Sequence, residues 1–316
     1  MRVLSFKKDG EVRLGLVTGA GVVDVTAASR GAGSSTAPGN ALLPGTMEEL
    51  ISQGKAGLDS LRALEESVAS QERHGAEGSS ASQGKPVIPL LREDDLTYAP
   101  VVARPEKIIC IGWNYVSHIE ETKSRTDLPR YPEVFSVANN ALAAHKQPIK
   151  LPPTASQYDY EAELVIVIGR ECSMAPEDKA LDYVFGYTCG NDVSERDLQK
   201  RNTQWFMGKS LDGFAPVGPH IVTADAIPDP NNLRISMRRG EEVVQDSNTR
   251  NMIFSCARLV SYLSQYLTLR PGDLIFTGTP SGVVLGQPPE QQKWVRAGET
   301  LTVYIEGIGE LTNATV

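Results

Sequence analysis

Asp-Tyr-Glu-Ala-Glu-Leu-Val-Ile-Val-Ile, at residues 159–168, is the stretch from which the rest of the chain can be interpreted. Its β-branched second half is typical of a buried strand. Because residues two apart in a strand point to the same face, Glu161 and Glu163 share a face with Val165 and Val167. Two carboxylates held together at a partly buried strand end repel each other, and protonation, a basic partner or a cation relieves the repulsion. A frayed strand end with both side chains in water is the alternative.

The composition is that of an ordinary globular protein. Of the 316 residues, 41% are hydrophobic and 22% are charged, and no apolar run approaches the length of a membrane span. The N-terminus becomes polar too early for a signal peptide, which predicts an intracellular, cytoplasmic protein without a membrane partner. The formal net charge is −8 and no long Lys/Arg cluster is present, so we expect no nucleic acid partner.

The cysteines are the next constraint. The chain has four, and none of their spacings is that of a zinc site or a disulfide framework. We therefore expect reduced thiols in the core at Cys110, Cys172, Cys189 and Cys256.

The first hundred residues predict a small αβ domain. Residues 3–26 alternate between apolar and polar positions, as in a β-meander, and residues 30–40 have the composition of a loop. A capping box at 46–49 precedes leucines at helical spacing between residues 58 and 68. Residues 74–85 are rich in Gly, Ser and Gln, as a flexible linker is. We therefore predict a small N-terminal domain and linker at 1–100 and a catalytic domain at 101–316.

The second domain is predicted to be rich in strands. Its apolar segments predict strands at 107–112, 183–189 and 274–276, an amphipathic helix at 252–267, and a closing hairpin formed by 300–305 and 310–316. The strands are not separated by regular helices, as βαβ repeats require. The fold class predicted from the sequence is therefore α+β and β-rich, with a mixed, mostly antiparallel sheet.

Four further residues carry side chains that could take part in chemistry. Asp192 is a third carboxylate, although Asp192 and Glu195 also fit a capping box for a following helix. His118 and Glu121 lie three apart, so on a helix the carboxylate can orient the imidazole, but a solvated helix face is the alternative and, for this pair alone, the favoured one. Lys209 follows a glycine, yet the first glycine of a phosphate-binding loop is missing. The sequence motifs of zinc peptidases, serine hydrolases and dinucleotide-binding enzymes are absent as well.

Taken in order, these motifs resemble the fumarylacetoacetate hydrolase family from about residue 105 to the C-terminus. The matching segments are Gly112-Trp113-Asn114-Tyr115 with His118 and Glu121, residues 159–164, Gly186-Tyr187-Thr188 with Asn191-Asp192 and Arg196-Asp197, Gly208-Lys209-Ser210, and Thr277-Gly278-Thr279-Pro280. The likeness identifies a family and not a substrate. Val137 stands where many members have a lysine, which makes a substrate matched to that lysine uncertain.

The resemblance implies a β-roll fold, a homodimer, and a lid over residues 117–130 that carries His118. It also implies roles for particular side chains in this chain. These are metal binding by Glu161, Glu163 and Asp192, catalysis by His118, Glu121 and Lys209, and substrate contacts by Gln199 and Thr279.

Residue chemistry agrees with a metal site of this kind. Three carboxylates without a Cys or His ligand favour a hard ion, so we expect Mg²⁺ or Mn²⁺. A small 2-oxo acid could chelate such an ion, and the leading hypothesis is a hydrolase that cleaves a carbon–carbon bond in an acylpyruvate-like or other 1,3-diketo acid. The family also contains decarboxylases and keto–enol isomerases of 2-oxo or dienoic diacids, which share these ligands. A catalytically idle homodimer that binds an oxo acid is the alternative from a different functional class.

Overall fold

The computed structural model describes residues 1–31, 42–76, 89–123 and 126–316, which form two compact units, Met1–Thr97 and Tyr98–Val316. Most of the predicted loop at 30–40, and residues 77–85 of the predicted linker, lie outside the described residues.

The first unit is built on an antiparallel meander with the strand order β4–β3–β2–β1. Its elements are β1 (Arg2–Lys8), β2 (Glu11–Thr18), β3 (Gly21–Asp24), α1 (Val25–Gly31), α2 (Met47–Gln53), α3 (Lys55–Ala76) and β4 (Leu90–Leu91). The predicted β-meander is confirmed, except that α1 already begins at Val25.

The predicted capping box begins α2. The Thr46 hydroxyl accepts a hydrogen bond from the Glu49 N–H at 3.1 Å, and the Glu49 carboxylate accepts one from the Gly45 N–H at 2.6 Å. Gly54 follows α2 with φ of 54°, a left-handed value that costs glycine little. The helical pattern of the sequence therefore divides into two helices, α2 and α3.

The second unit contains most of the sheet structure. After β5 (Thr97–Tyr98) at the boundary, its elements are β6 (Ile108–Gly112), α4 (Val116–Thr122), β7 (Glu133–Ser136), β8 (Leu142–Ala143), β9 (Tyr158–Asp159), β10 (Ala162–Ile168), β11 (Val184–Asn191), β12 (Ser194–Glu195), α5 (Arg196–Lys200), α6 (Phe206–Lys209), β13 (Ala215–Thr223), β14 (Arg234–Arg239), β15 (Glu242–Asn248), α7 (Cys256–Ser264), β16 (Leu274–Phe276), β17 (Thr300–Ile305) and β18 (Gly309–Ala314). Short 3₁₀ segments lie at Glu93–Asp95, Asn139–Ala141, Glu177–Tyr183, Ala224–Ala226, Thr249–Asn251, Val284–Gly286 and Pro289–Gln291.

Two sheets of this unit enclose the core. One has the order β13–β11–β10–β16–β6–β7, and the other has the order β15–β14–β17–β18. Strands β10, β11 and β13 contact β14, β17 and β18, and apolar side chains fill the space between the sheets. Pairing is antiparallel except between β16 and β6 and between β13 and β8. The predicted α+β, β-rich and mostly antiparallel fold is confirmed.

The stretch at 159–168 forms the centre of the larger sheet. Strand β10 pairs with β11 on one side and β16 on the other, and all seven of its residues are buried. Glu161 lies one residue before the strand and is 5% exposed, whereas Glu163 lies within it and is 2% exposed. The alternative of a frayed, solvated strand end is therefore wrong.

The helix predicted at 252–267 is shorter than the periodicity indicated. The Ser255 hydroxyl accepts a hydrogen bond from the Arg258 N–H at 3.1 Å, which fixes the start of α7 at Cys256. The helix ends at Ser264, and Leu267 is 40% exposed beyond it. The last residue of the predicted apolar face is therefore not part of the helix.

None of the helices among the described residues is both long and apolar enough to cross a lipid bilayer. The four cysteines are all free and buried, as predicted from their spacings.

Candidate functional site

Three buried carboxylates meet where β10 and β11 lie side by side. Glu163 lies on β10, Glu161 precedes that strand, and Asp192 directly follows β11. The pairing of Ala162 with Asn191 brings the two strand ends together, and the Asp192 N–H donates to the Glu161 carbonyl at 3.0 Å. One oxygen atom from each of the three carboxylates lies within 4.8 Å of the others. The three predicted metal ligands are therefore neighbours in space.

A tight turn after β16 orients Glu163. The Gly278 N–H donates to Glu163 Oε2 at 2.7 Å. Gly278 has φ of 97°, and a Cβ atom at this position would lie 2.8 Å from the Cβ of Asn114. Only glycine fits this turn without strain, which explains the glycine of the segment at 277–280.

Asp192 is not a helix cap. The residue that caps α5 is Glu195, whose Oε2 accepts a hydrogen bond from the Leu198 N–H at 2.6 Å. The capping alternative for Asp192 is therefore wrong, and its carboxylate points to the other two acids instead.

Lys209 joins two of the three carboxylates. Its Nζ lies 2.7 Å from Glu161 Oε2 and 2.7 Å from Asp192 Oδ2, and the residue is 1% exposed. Gly208 allows this approach, because a Cβ there would lie 2.5 Å from the backbone nitrogen of Gln199. The glycine of the Gly-Lys-Ser segment thus brings α6 close to α5, and no phosphate-binding loop is involved.

Arg196 and Asp159 form a second buried ion pair behind Glu161. Nη2 of Arg196 lies 2.9 Å from Asp159 Oδ2 and 2.7 Å from Glu161 Oε1. Asp159 also accepts hydrogen bonds from the N–H groups of Val284 and Leu285, at 2.8 and 3.0 Å. Arg196 and Asp159 both lie in the motifs quoted above. The sequence alone assigns no role to either, because no local pattern marks a buried arginine.

The electrostatics of the three acids differ. Burial raises the pKa of Glu163 well above its ordinary value, and the charges of Asp192 and Glu161 raise it further. Burial likewise raises the pKa of Asp192 to about 6, although Lys209 opposes the shift. Burial acts on Glu161 in the same direction, but Lys209 and Arg196 outweigh it and lower the pKa to about 2.

The donor set fits a divalent cation. Asp192 Oδ1 is buried and has no hydrogen-bond partner among the described residues, so one carboxylate oxygen of the cluster is left unsatisfied. Such an orphaned oxygen is costly unless a cation or another donor pairs with it. All three side chains offer oxygen, the ligand atom preferred by Mg²⁺ and Mn²⁺.

His118 and Glu121 form a hydrogen-bonded dyad on α4. His118 Nδ1 lies 2.9 Å from Glu121 Oε1, and His118 is 8% exposed. The Gly282 N–H donates to the other oxygen, Glu121 Oε2, at 2.8 Å. The alternative of a solvated helix face is therefore wrong for His118. Residues 124–125 of the implied lid lie outside the described residues.

A single cavity of about 310 Å³ borders both groups of residues. The three acids, His118 and Lys209 line it, and so do the predicted substrate-contact residues Gln199 and Thr279. Trp113, Phe135 and Trp205 add an aromatic wall in which Trp205 meets the other two rings edge to face.

The two predicted substrate-contact residues, Thr279 and Gln199, differ in how many of their polar groups are already hydrogen-bonded. The Thr279 hydroxyl donates to the Ala162 carbonyl and accepts from Gln245 Nε2, both at 2.9 Å. Gln199 Oε1 accepts from Arg196 at 3.0 Å, which leaves the amide N–H groups of Gln199 for another partner. Val137 lines a neighbouring cavity and does not line this one.

Comparison with known proteins identifies relatives over most of the chain. A family model described as fumarylacetoacetate (FAA) hydrolase C-terminal matches residues 107–316. The oxaloacetate tautomerase Fahd2a, mitochondrial, of Rattus norvegicus is 36% identical over 275 residues, which are 87% of this chain and 80% of the relative.

Solved structures agree over the whole length. A putative HpcE protein from Mycobacterium smegmatis superimposes with a TM-score of 0.77 and 32% identity, covering 100% of this chain and 99% of the other. Maleylpyruvate hydrolase from Sphingobium sp. SYK-6, solved with manganese(II) and pyruvate, gives a TM-score of 0.72 and 28% identity at the same coverage. The predicted family fold is thereby confirmed, and these relatives and neighbours are named as hydrolases, isomerases and tautomerases. This chain belongs to the fumarylacetoacetate hydrolase family.

Proposed function

We propose that this protein is a divalent-metal-dependent tautomerase that interconverts the keto and enol forms of a short 2-oxo diacid resembling oxaloacetate. The observation that carries the proposal is one cavity lined by both the buried acids and His118, the base of the dyad. The relative named oxaloacetate tautomerase, 36% identical over 87% of the chain, supports this substrate class.

The ion would be held by Glu161, Glu163 and Asp192. When bound there, Mg²⁺ or Mn²⁺ polarises the 2-oxo group of the substrate and stabilises the negative charge that develops on its oxygen. Lys209, hydrogen-bonded to two of these carboxylates, adds positive charge beside the same oxygen.

His118 would move the proton. The Glu121 carboxylate accepts the hydrogen of Nδ1, which leaves Nε2 with a free lone pair to act as a base. Nε2 takes a proton from the carbon next to the oxo group, and the electrons of that C–H bond form the C=C bond as the carbonyl electrons move to oxygen. The imidazolium then returns the proton to oxygen, so atoms and charge balance. Glu121 stabilises the imidazolium between the two transfers.

Hydrolysis of a carbon–carbon bond, the leading hypothesis from the sequence, is the second candidate. The dyad supports hydrolysis as well, because an imidazole held by a carboxylate can also take a proton from water. The neighbour named maleylpyruvate hydrolase lends it support. Decarboxylation of a 2-oxo diacid needs no such base and is therefore less well matched to this dyad.

A panel of 2-oxo acids tests these alternatives. Oxaloacetate, an acylpyruvate and maleylpyruvate are incubated with Mg²⁺, Mn²⁺ or chelator, and enol absorbance is followed while products are identified by mass. We expect metal-dependent equilibration of the keto and enol forms of oxaloacetate without a change in mass. Cleavage of an acylpyruvate at a higher kcat/KM than this equilibration would replace the proposal with the hydrolase candidate, and no metal-dependent reaction would contradict both.

A further inference from the structure

Helix α5 presents three nitrogen-bearing side chains to the candidate cavity. Arg196, Gln199 and Lys200 all line it, and residues spaced by three and four lie on one helix face. Arg196 is 2% exposed, Gln199 is 9% exposed, and Lys200 is exposed to solvent. The face therefore runs from the buried acids at its first residue to the cavity mouth at its last.

The inner cations of the cavity are already paired. Arg196 is bound to Asp159 and Glu161, and Lys209 is bound to Glu161 and Asp192. Each of these cations is thus held beside two carboxylates at the buried, acidic end of the cavity, away from its mouth.

Lys200 differs from both. Its ammonium group forms no ion pair and no hydrogen bond with any residue that the structure describes, although it borders the same cavity. Partial burial lowers its pKa, and the positive charge of Arg196 lowers it further. A carboxylate at the cavity mouth would offset both effects, because an opposite charge favours the ammonium form.

The rise along α5 from Arg196 to Lys200 is comparable with the length of a small diacid. Four residues of helix rise about 6 Å, and the two carboxyl carbons of a four-carbon chain lie about 4 Å apart. A ligand whose 2-oxo acid end faces the three acids therefore brings its other end within reach of a flexible lysine at the last residue of α5.

We propose that Lys200 is the specificity-determining residue that binds the second carboxylate of a short oxo diacid. The inference rests on the proposed function, since it assumes that a 2-oxo acid occupies the cavity. The amide N–H groups of Gln199, which no described residue uses, lie on the same helix face and supply a neutral donor beside it.

Binding of two unreactive probes to the Mg²⁺-loaded protein tests the role of Lys200 apart from turnover. The first probe is 3,3-difluoro-oxaloacetate, which has no proton to lose at carbon 3 and carries both carboxylates. The second is oxalate, which offers the chelating end alone. Isothermal calorimetry gives the dissociation constant of each for the parent, for Lys200→Met and Lys200→Arg, and for Lys179→Met as an exposed control outside the cavity.

We expect Lys200→Met to weaken difluoro-oxaloacetate binding about tenfold, the effect of losing one charge-assisted hydrogen bond, and to change oxalate binding less than about twofold. Lys200→Arg keeps the charge and should remain within about threefold of the parent for both probes. Lys179→Met should match the parent.

Equal weakening of both probes by Lys200→Met, unchanged binding of difluoro-oxaloacetate, or a parent that binds neither probe would overturn the inference. A parent that binds difluoro-oxaloacetate in a Lys200-dependent manner but does not tautomerise oxaloacetate would contradict only the proposed function.

Discussion

The carboxylate cluster and the His118–Glu121 dyad border one cavity but are built in different ways. The cluster lies on adjoining strands of a central sheet, and backbone N–H groups of Asp192 and Gly278 fix its geometry. The dyad lies on α4, a helix of seven residues, and a single described backbone bond, from Gly282, holds its carboxylate to the rest of the unit.

This difference indicates which part of the site already has its functional arrangement before substrate binds. A cluster fixed by a packed sheet keeps its arrangement whether or not substrate is present, because moving it would disrupt the core. A short helix held by few contacts can shift at low cost, so the position of its histidine depends on individual bonds. Metal binding and proton transfer should therefore fail separately when the two regions are altered.

The largest separation is expected for His118→Ala. Loss of a general base lowers turnover by about 10²- to 10⁴-fold, and alanine preserves the helix. Because His118 makes no hydrogen bond to the three acids, Mn²⁺ affinity measured by calorimetry should stay within about twofold of the parent. Glu120→Gln, an exposed substitution on the same helix, is the control. Parent turnover in His118→Ala would remove the dyad from the mechanism.

Glu163→Gln should give the opposite result. The amide keeps the shape of the side chain and can still accept from the Gly278 N–H, but it loses the charge, so Mn²⁺ should bind about 100-fold more weakly. Turnover should decrease with metal occupancy and recover in part at high Mn²⁺. Glu310→Gln, at an exposed position on β18, should leave affinity and turnover unchanged. Undiminished Mn²⁺ affinity in Glu163→Gln would exclude Glu163 as a ligand.

Metal binding by the three carboxylates should also weaken in acid. Burial raises the pKa of Asp192 to about 6, so Asp192 is mostly protonated below that pH, and burial raises the pKa of Glu163 in the same direction. A metal ion binds the ionised form, hence the Mn²⁺ dissociation constant should rise at least about tenfold per pH unit as the pH falls below 6. An affinity that is flat across this range would show that the acids stay ionised.

Gly286→Ala should produce the smallest effect, confined to the dyad. A Cβ at this position would lie 2.5 Å from the Glu121 Cδ, so Glu121 must move away from its present contact with His118. We expect kcat to fall about tenfold, within the range of general acid–base contributions, with Mn²⁺ affinity unchanged. The matched control is Gly19→Ala, where an added Cβ meets no atom within 4 Å. A Gly286→Ala enzyme with parent kcat would show that the position of Glu121 is not limiting.

The metal-binding candidates could be predicted from the sequence because a strand has a simple period. Alternation places Glu161 and Glu163 on one face, and the β-branched residues that follow mark that strand as buried. The hydrogen bond between His118 and Glu121 could likewise be predicted, because residues three apart lie on one face of a helix.

Other features could not be predicted, because they depend on contacts between segments distant in sequence. By residue type Asp192 is the expected helix cap and Glu195 its capping-box partner, but Asp192 directly follows β11 and Glu195 caps α5. The burial of Arg196 depends on Asp159, which lies 37 residues away. The length of α7 depends on its cap and not on its apolar face.

The burial of every cysteine gives the chain a practical property. Thiol-reactive dyes need an accessible thiolate, and burial raises the pKa of Cys110, Cys189 and Cys256, in the last case to about 12. A cysteine introduced at the exposed position Glu120 would consequently be the only thiol in the folded protein open to labelling. A fluorophore attached there would report optically on any movement of α4, without any need to replace the native cysteines.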